Sequence, residues 1–464
     1  MPFSLDTTYK TLDPELYAKA TPKHIDNPEM LLRNDALCDD LGLDTEKLSS
    51  RILTGQERSE EPIAQAYAGH QYGSFTLLGD GRAMLLGEHV HGGDRYDIQL
   101  KGSGRTPYSG RGDGNATVSS MLREYLYSWA MQHLNVKTSR SLAVVETDEA
   151  VTRRQTEPGA ILVRVMNSHI RYGTFQYVAS QAPDELPRFT DYVIDRHYPQ
   201  LHERKRPYLA FFDAVMQSSI EMVVDWLRVG FVHGVMNTDN MSIDGETFDY
   251  GPCAFVNYFD EEAVFSSIDK HGRYAFGNQR SILQWNLARF AEALQPLCAH
   301  SALTVDELEA TLTEFPDRFD SQYYAMMRKK LGIDTDGKRE LVDELLAWLQ
   351  KTNADYTNTF LKLEAPETVD DPVFATAEFE QLRETLAAVG LDEELMQDVN
   401  PRYIPRNYLV EEALDEYLEA GDLSTFKTLL TVLETPYVSQ RVDSRFQQPP
   451  PRAFDAAYTT YCNT

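Results

Sequence analysis

Lys101 closes the run Arg95-Tyr96-Asp97-Ile98-Gln99-Leu100-Lys101, and Glu124 follows on a stretch of helical periodicity, at the border of its apolar face. A lysine steadied by a helix carboxylate can grip phosphate oxygens. Upstream lies Gly79-Asp80-Gly81-Arg82, where residues without Cβ let backbone approach a phosphate. Downstream, Asn240 and Asp249 supply the hard oxygen ligands that divalent metal ions take. Arg164 and Arg171 are of the residue type that meets polyphosphate bidentately. Singly, each is ordinary: a hairpin turn, a surface lysine, a solvated helix flank, two solvent-facing arginines. Their joint order is what points to nucleotide binding.

The segment His233-Gly234-Val235-Met236-Asn237-Thr238-Asp239-Asn240 sets the kind of chemistry. Kinase-like phosphotransferases often read H-G-D-x-x-x-x-N here, with Asp as the base and Asn on the metal. Val235 occupies the base position and cannot accept a proton. Asp239, directly before Asn240, is the alternative base, or else the residue of an Asx turn. Three outcomes stay open: an inactive scaffold, nucleotide binding without turnover, or a different reaction. The loop Arg111-Gly112-Asp113-Gly114 is either a turn or a nucleotide clamp.

The elements that must hold these residues follow from periodicity. Strand-like runs QYGSFTLL from Gln71, AMLLGEHV from Ala83 and RYDIQLKG from Arg95, joined by Gly-rich turns, predict a three-stranded antiparallel meander ending at Lys101. Val118, Met121, Leu122, Tyr125, Leu126 and Trp129 recur at helical spacing. Two further strands are expected near residues 141 and 160; on the second, Arg164 shares a face with Leu162 and Met166 while Ile161, Val163 and Val165 take the other. Helices dominate beyond about residue 176, beginning with a long apolar-rich one that ends at Gly230. A helix is predicted from Pro28 to about Leu41 with Asn27 as its cap, and the tail from Gln447 is expected to be extended. His89 and His91 read as a hairpin surface, there being no third metal ligand nearby.

Composition narrows the partners. The 464 residues are 42% hydrophobic and 25% charged, enough for a sizeable folded core rather than a disordered chain. With 72 acidic against 44 basic residues the formal charge is −28, which repels a nucleic-acid backbone. Cys38, Cys253, Cys298 and Cys462 form no C-x-x-C pair, so no zinc ribbon or thioredoxin-like site is expected. No G-x-S-x-G elbow occurs, against a serine hydrolase. The opening Met1-Pro2-Phe3-Ser4-Leu5-Asp6 has no basic and apolar leader pattern, and no run is long and apolar enough to span a bilayer, so a cytoplasmic location without membrane contact is expected.

Several longer strings carry a family resemblance: YAGHQYG from Tyr67, LGDGRA from Leu78, QLKGSGRTPYSGRGDG from Gln99, LREYL from Leu122, NSHIRYGTFQ from Asn167, HGVMNTDNMSI from His233, DYGP from Asp249 and NPRYIPRNYL from Asn400. They resemble the selenoprotein O family of pseudokinase-fold protein adenylyltransferases. The resemblance implies an α+β, protein-kinase-like two-lobed fold: an antiparallel-sheet N-lobe with one key helix over residues 1–175, and a mainly helical C-lobe with extra C-terminal helices over residues 176–464. It implies ATP bound in reverse, with Mg2+ or Mn2+, so that AMP passes to a Ser, Thr or Tyr hydroxyl of a protein substrate.

By matching motif, Lys101 would contact phosphate and pair with Glu124, while Gly79, Gly81 and Arg82 lie along the nucleotide. Asp113 and Gly114 would hold its flipped end, and Arg164 and Arg171 the phosphates that leave as pyrophosphate. Asp239 would be the proton acceptor, Asn240 and Asp249 the metal ligands. A kinase transferring the γ-phosphoryl group and a non-catalytic scaffold are the alternatives, and a monomer is favoured. Family members often have a cysteine or selenocysteine close to the C-terminus, which some of them pair with a cysteine in the activation segment. Cys462 matches the first, but that segment reads Phe265-Ser266-Ser267-Ile268, leaving Cys253 as the other candidate. Where the family has a Gln before the Gly-rich turn, this chain has Leu77.

Overall fold

The computed structural model describes residues 2–365 and 371–461. Strands β1 (Leu5–Asp6), β2 (Tyr17–Lys19), β3 (Glu29–Arg33), β4 (Ile63–Gln71), β5 (Ser74–Gly79), β6 (Ala83–His91), β7 (Asp94–Lys101), β8 (Arg140–Thr152) and β9 (Thr156–Met166) form one sheet. Its order is β2-β4-β6-β7-β9-β8-β3, with β1 added on β6 and β5 on β4, and every pairing is antiparallel. Short helices α1 (Asp35–Asp40) and α2 (Ser50–Leu53) precede β4, and α3 (Val118–His133) separates β7 from β8.

The alternation along β9 decides which face is which. Ile161, Val163 and Val165 join Leu37, Cys38, Leu41, Ile52 and Leu53 of α1, α2 and their flanks in one core, while Leu162 joins Val118, Met121, Leu122, Tyr125 and Leu126 of α3 in another. Arg164 therefore points to the α3 side, as its position in the pattern requires. The N-terminal 60 residues, silent about chemistry in the sequence, thus supply the cover for the outer face of the sheet.

After β9 the chain is helical: α4 (Tyr172–Gln181), α5 (Leu186–His197), α6 (Pro207–Val229), then the two-stranded ladder of β10 (Phe231–Val232) and β11 (Ala254–Phe255), then α7 (Gln279–Leu294), α8 (Val305–Thr313), α9 (Phe315–Lys330), α10 (Arg339–Thr352), α11 (Tyr356–Glu364), α12 (Ala377–Ala387), α13 (Glu393–Val399), α14 (Asn407–Ala420), α15 (Ser424–Glu434) and α16 (Arg452–Ala457). Gly230 ends α6 in the left-handed region at φ 78°, as expected of a helix-terminating glycine. The chain is an α+β protein. Among the described residues no helix is long and apolar enough to cross a membrane.

Four local expectations are corrected. Residues 28–41 are not one helix: Glu29–Arg33 is a strand pairing with β8, and only Asp35–Asp40 is helical, capped by Asn34. The apolar Met30-Leu31-Leu32 finds a sheet edge there, which outweighs the helix-start signal of Asn27-Pro28. The meander is also different. The hairpin partner of β5 is β4, through Tyr72 and Gly73, and β5 does not pair with β6, so Gly79 ends β5 and residues 80–82 are a crossover loop and not a hairpin turn. His89 is buried, taking a hydrogen bond from the Ser4 amide on Nδ1 and placing Nε2 2.8 Å from the Leu41 carbonyl. The tail is partly helical in α16, anchored by Asp455, which accepts from Asn257 at 2.7 Å. Cys462 lies outside the described residues.

Candidate active site

Period two on β7 points Gln99 and Lys101 to the α3 side, and the pairing of Gln99 with Arg164 brings the arginine alongside. Thr117 caps α3 and sets its first turn, two turns before Glu124. Lys101 Nζ donates to Glu124 at 2.7 Å and to Asp249 at 2.5 Å. Arg164 donates through Nη1 to Asp249 at 2.6 Å and to Glu124 at 3.2 Å, and through Nη2 to Gln99. Glu124 is only 3% exposed, so the solvated flank suggested by its place on the helix is not what the fold makes of it.

Asp249 has φ 62°, a left-handed conformation that Asp adopts more readily than most residues. The buried Tyr250 behind it holds the turn, its hydroxyl paired with Thr138. Burial alone would raise the Asp249 carboxyl, yet Lys101, Arg164 and Arg171 hold it well below the usual range. The same carboxylates, against the cost of burial, keep Arg164 firmly protonated.

Residues 238–240 form a 3-10 turn held from two sides. Thr238 Oγ1 accepts from the His70 amide of β4 and donates to Gln176 of α4, both at 2.7 Å. Asn237 Oδ1 accepts from the Tyr72 amide and the Tyr274 hydroxyl. Two glycines make the fit possible: a Cβ at Gly69 would stand 2.1 Å from Asp239 Oδ1, and one at Gly173 2.0 Å from the Ala68 carbonyl oxygen. Asp239 is 7% exposed; burial pushes its carboxyl up to about 6 against the pull of Arg171, and Gln71 hydrogen-bonds it. Among the described residues its Oδ1 has no hydrogen-bond partner. Asn240 donates its amide to the Val235 carbonyl at 2.9 Å, which leaves its side-chain oxygen uncommitted to that bond.

Arg171 donates to the Asp239 carbonyl at 3.1 Å and lies 4.2 Å from the Tyr67 ring centre and 4.9 Å from that of Phe248. Among the described residues its Nη2 has no hydrogen-bond acceptor, standing 3.8 Å from Asp80. Asp80 is a residue that sequence reasoning passed over between the two glycines it named. It is buried, accepts from the Gln65 amide and from Gln99, and is raised by that burial. His169 Nε2 accepts from Arg164 Nε and its Nδ1 faces Asp97, burial pushing the imidazole down to about 4. All four of Gln99, Asp80, Gly69 and Gly173 lie inside the strings that carry the family resemblance; beyond that, Gln99 was marked by its period-two relation to Lys101 and the other three by no feature of residue type or spacing.

One cavity of about 410 Å³ is lined by Gly81, Arg82, Lys101, Arg164, Arg171, Asp239, Asn240 and Asp249, with Val235 among them. Glu124 stands behind Lys101. Three other expected residues are not on its wall. Gly79 packs under the Tyr108 ring, where a Cβ would be 2.3 Å from the ring. Asp113 pairs with Arg153 at 2.7 Å in the loop before α3, and Gly114 presses on Gly104. Arg153 lines a second cavity of about 610 Å³, which shares Arg82, Lys101 and Gly251 with the first.

The arrangement offers cations for phosphates, a buried carboxylate with a free oxygen, and an Asn–Asp oxygen pair. A family model described as "Protein adenylyltransferase SelO" matches residues 2–434. The chain is similar to a protein nucleotidyltransferase YdiU of Alcanivorax borkumensis, 46% identical with 100% of this chain and 99% of that one covered. Relatives with the same description from Alkaliphilus metalliredigens and Syntrophotalea carbinolica are each 45% identical, over 100% of this chain and 98% of theirs.

Proposed function

The chain belongs to the protein adenylyltransferase SelO family, and from that premise we propose that its cleft passes AMP from ATP to a protein hydroxyl with Asp239 as proton acceptor. The observation that carries the residue roles is a pair of buried, unsatisfied groups on one cavity wall, Arg171 Nη2 and Asp239 Oδ1. A buried donor without an acceptor costs about 1–3 kcal/mol, so a phosphate oxygen there repays a penalty the fold already carries. A carboxylate oxygen left open is free to take a proton.

In this reading the substrate hydroxyl attacks the α-phosphorus. Its O–P bond forms as the bond to the β-phosphate breaks, pyrophosphate departs, and the hydroxyl proton moves to Asp239. Lys101, Arg164 and Arg171 meet the charge on the pyrophosphate, with Glu124 steadying Lys101. Gly81 and Arg82 lie along the nucleotide. Asp113 and Gly114, outside the cleft wall, hold the nucleoside end only if that end extends past Arg82 into the second cavity.

Among the described residues no group of three or more His, Cys, Asp or Glu side chains is placed to hold a metal ion. The Asn240 and Asp249 oxygens fit Mg2+ or Mn2+ instead, which take one or two protein ligands and complete their shell with phosphate and water. Such an ion, when bound, supplies positive charge beside the phosphates. We read residues 1–175 and 176–464 as the two lobes of a protein-kinase-like fold, supported by the order of Lys101, Glu124, Asn240 and Asp249 along the chain. We expect a cytoplasmic setting and a monomer; among the described residues Cys38, Cys253 and Cys298 form no disulfide.

The test is transfer from ATP labelled at the α- or the γ-phosphate. Label on protein from the α position alone is expected. It should disappear in Asp249→Ala, and in Asp239→Asn turnover should fall about 10²–10⁴-fold while ATP still binds. Label from γ alone would mean a kinase, and unchanged transfer by Asp239→Asn would remove it as the base.

A further inference from the structure

The mouth of the cleft beside Asp239 carries an unusual surface. Strand β5 hydrogen-bonds β4 and no other described strand, so its outer edge offers unpaired backbone groups. Ser74-Phe75-Thr76-Leu77-Leu78 along that edge contains no charge and no proline, the devices by which edge strands are usually protected. Phe75 and Leu77 are 47% and 50% exposed. Such an edge is a template for an added strand.

A cationic and aromatic patch continues from it. The His70 ring lies 5.3 Å from Phe75 and 5.3 Å from Trp285, and Arg273 stands 4.7 Å from the Trp285 ring centre. The Arg273 side chain hydrogen-bonds the Tyr274 hydroxyl; among the described residues it takes part in no ion pair, and its Nε has no hydrogen-bond partner. Asp269, the nearest acid in sequence, is buried and accepts from the Arg273 and Tyr274 amides instead. Arg289, also over Trp285, is already paired with Glu292. Lys270 and His271 beside Arg273 are exposed. In a chain of net charge −28, a run of Lys270-His271-Gly272-Arg273 next to an uncharged strand edge is locally complementary to an acidic partner. The patch is continuous with the active cleft: Tyr72 lines the cavity and lies 5.1 Å from the Tyr274 ring, and the exposed Ile268 lines the same cavity.

We propose that protein substrates dock here through an extended segment that pairs with the free edge of β5, sets apolar side chains against Phe75 and Leu77, and places an acidic side chain on Arg273. This rests on the adenylyltransferase reading above and names the substrate class for that site: hydroxyls flanked by acidic and apolar residues. Whatever sits on this edge is held beside Asp239, because Gly69, which pairs with Thr76 of β5, is the residue packed under the Asp239 carboxylate.

The experiment uses the full chain, α-labelled ATP and synthetic peptides with a single Tyr acceptor, flanked by Glu and Leu or by Lys and Gln. The wild type is expected to show the lower KM for the Glu/Leu peptide. Arg273→Glu should raise that KM about tenfold, the equivalent of about 1.4 kcal/mol, and shift preference towards the Lys/Gln peptide, with the KM for ATP unchanged. Because Arg273→Glu alters a stacked side chain, the exposed pair Phe75→Lys with Leu77→Lys provides a second arm, expected to raise the KM for the Glu/Leu peptide alone. Equal KM values for both peptides, or variants that leave them unchanged, would overturn the docking site. So would a change in solution mass with the β5 variants, which would make the edge a contact between copies. Transfer to no peptide or protein at all, with ATP bound, would instead overturn the adenylyltransferase reading, and this inference with it.

Discussion

Arg164 shows how one buried residue serves stability and chemistry together. At 2% exposure it satisfies Glu124, Asp249 and Gln99 at once. Arg164→Met would leave the buried Glu124 and the partly exposed Asp249, its side chain 23% accessible, sharing Lys101, a loss of at most about 3–5 kcal/mol on the scale of broken buried ion pairs, lessened by the solvent that reaches Asp249. Urea unfolding should show that loss, together with weaker ATP binding. His169 makes a pH prediction. Its folded value of about 4 lies below an unfolded value of about 6.5. Between those values the unfolded chain binds the proton and the folded one does not, so stability falls as pH drops from about 6.5 to 4, by about 3 kcal/mol at most. The similarly lowered His197 adds in the same window. His169→Gln should flatten the slope of unfolding midpoint against pH there. Asp97, held down to about 2 against its burial, takes over only in stronger acid.

At the scale of elements, the site is a meeting of β4, β7, β9, α3 and α4 with two short turns. Lys101, Glu124 and Arg164 were legible as a set, because each sits on a regular element and their order along the chain points to one site, although period alone left Glu124 and Arg164 free to face solvent. The contribution of β4 was not legible. Its stretch from Ile63 to Gln71 reads through Ala and Gly without a strong strand pattern, and it is the small residues that let the Asp239 turn and α4 come close. Gly69→Ala should therefore displace the Asp239 carboxylate. The expected result is a fall in kcat of about 10²-fold from a shift of about 1 Å, at a stability cost of about 1–3 kcal/mol. Steady-state kinetics beside a thermal melt would separate the two, and an unchanged kcat would show that the turn simply moves aside.

Across the whole molecule, the C-terminal tail ties α3 and α14 to the segment that follows Asp249. Thr460 exchanges backbone hydrogen bonds with Phe265 and Ser267, its hydroxyl donates to the Pro252 carbonyl, and the Tyr458 hydroxyl bridges Arg123 of α3 and Glu411 of α14. Arg154 of the β8–β9 turn lies 3.6 Å from the Tyr461 ring centre. Removing residues 452–464 should lower the melting temperature and raise amide exchange over residues 252–268, the segment following Asp249. Protection unchanged in that segment would mean the tail is only a surface covering. Burial of Cys253, whose thiol is pushed up to about 12, makes it a poor thiolate in this arrangement.

The sequence alone determined the chemistry on offer and the element carrying most of it, because strand and helix periods are local and a residue type states what it can bind or donate. It could not determine burial or company. Glu124 at the edge of an apolar stripe, Arg164 with its ordinary chance of facing solvent, and Asp80 between two glycines all acquired their roles from segments far away in the chain. The long-range pairings of β9 with β7 and β3 with β8 remove these charges from water and fix their partners, and those contacts depend on which apolar faces can be covered together, a property of the packed molecule and not of any one stretch of it.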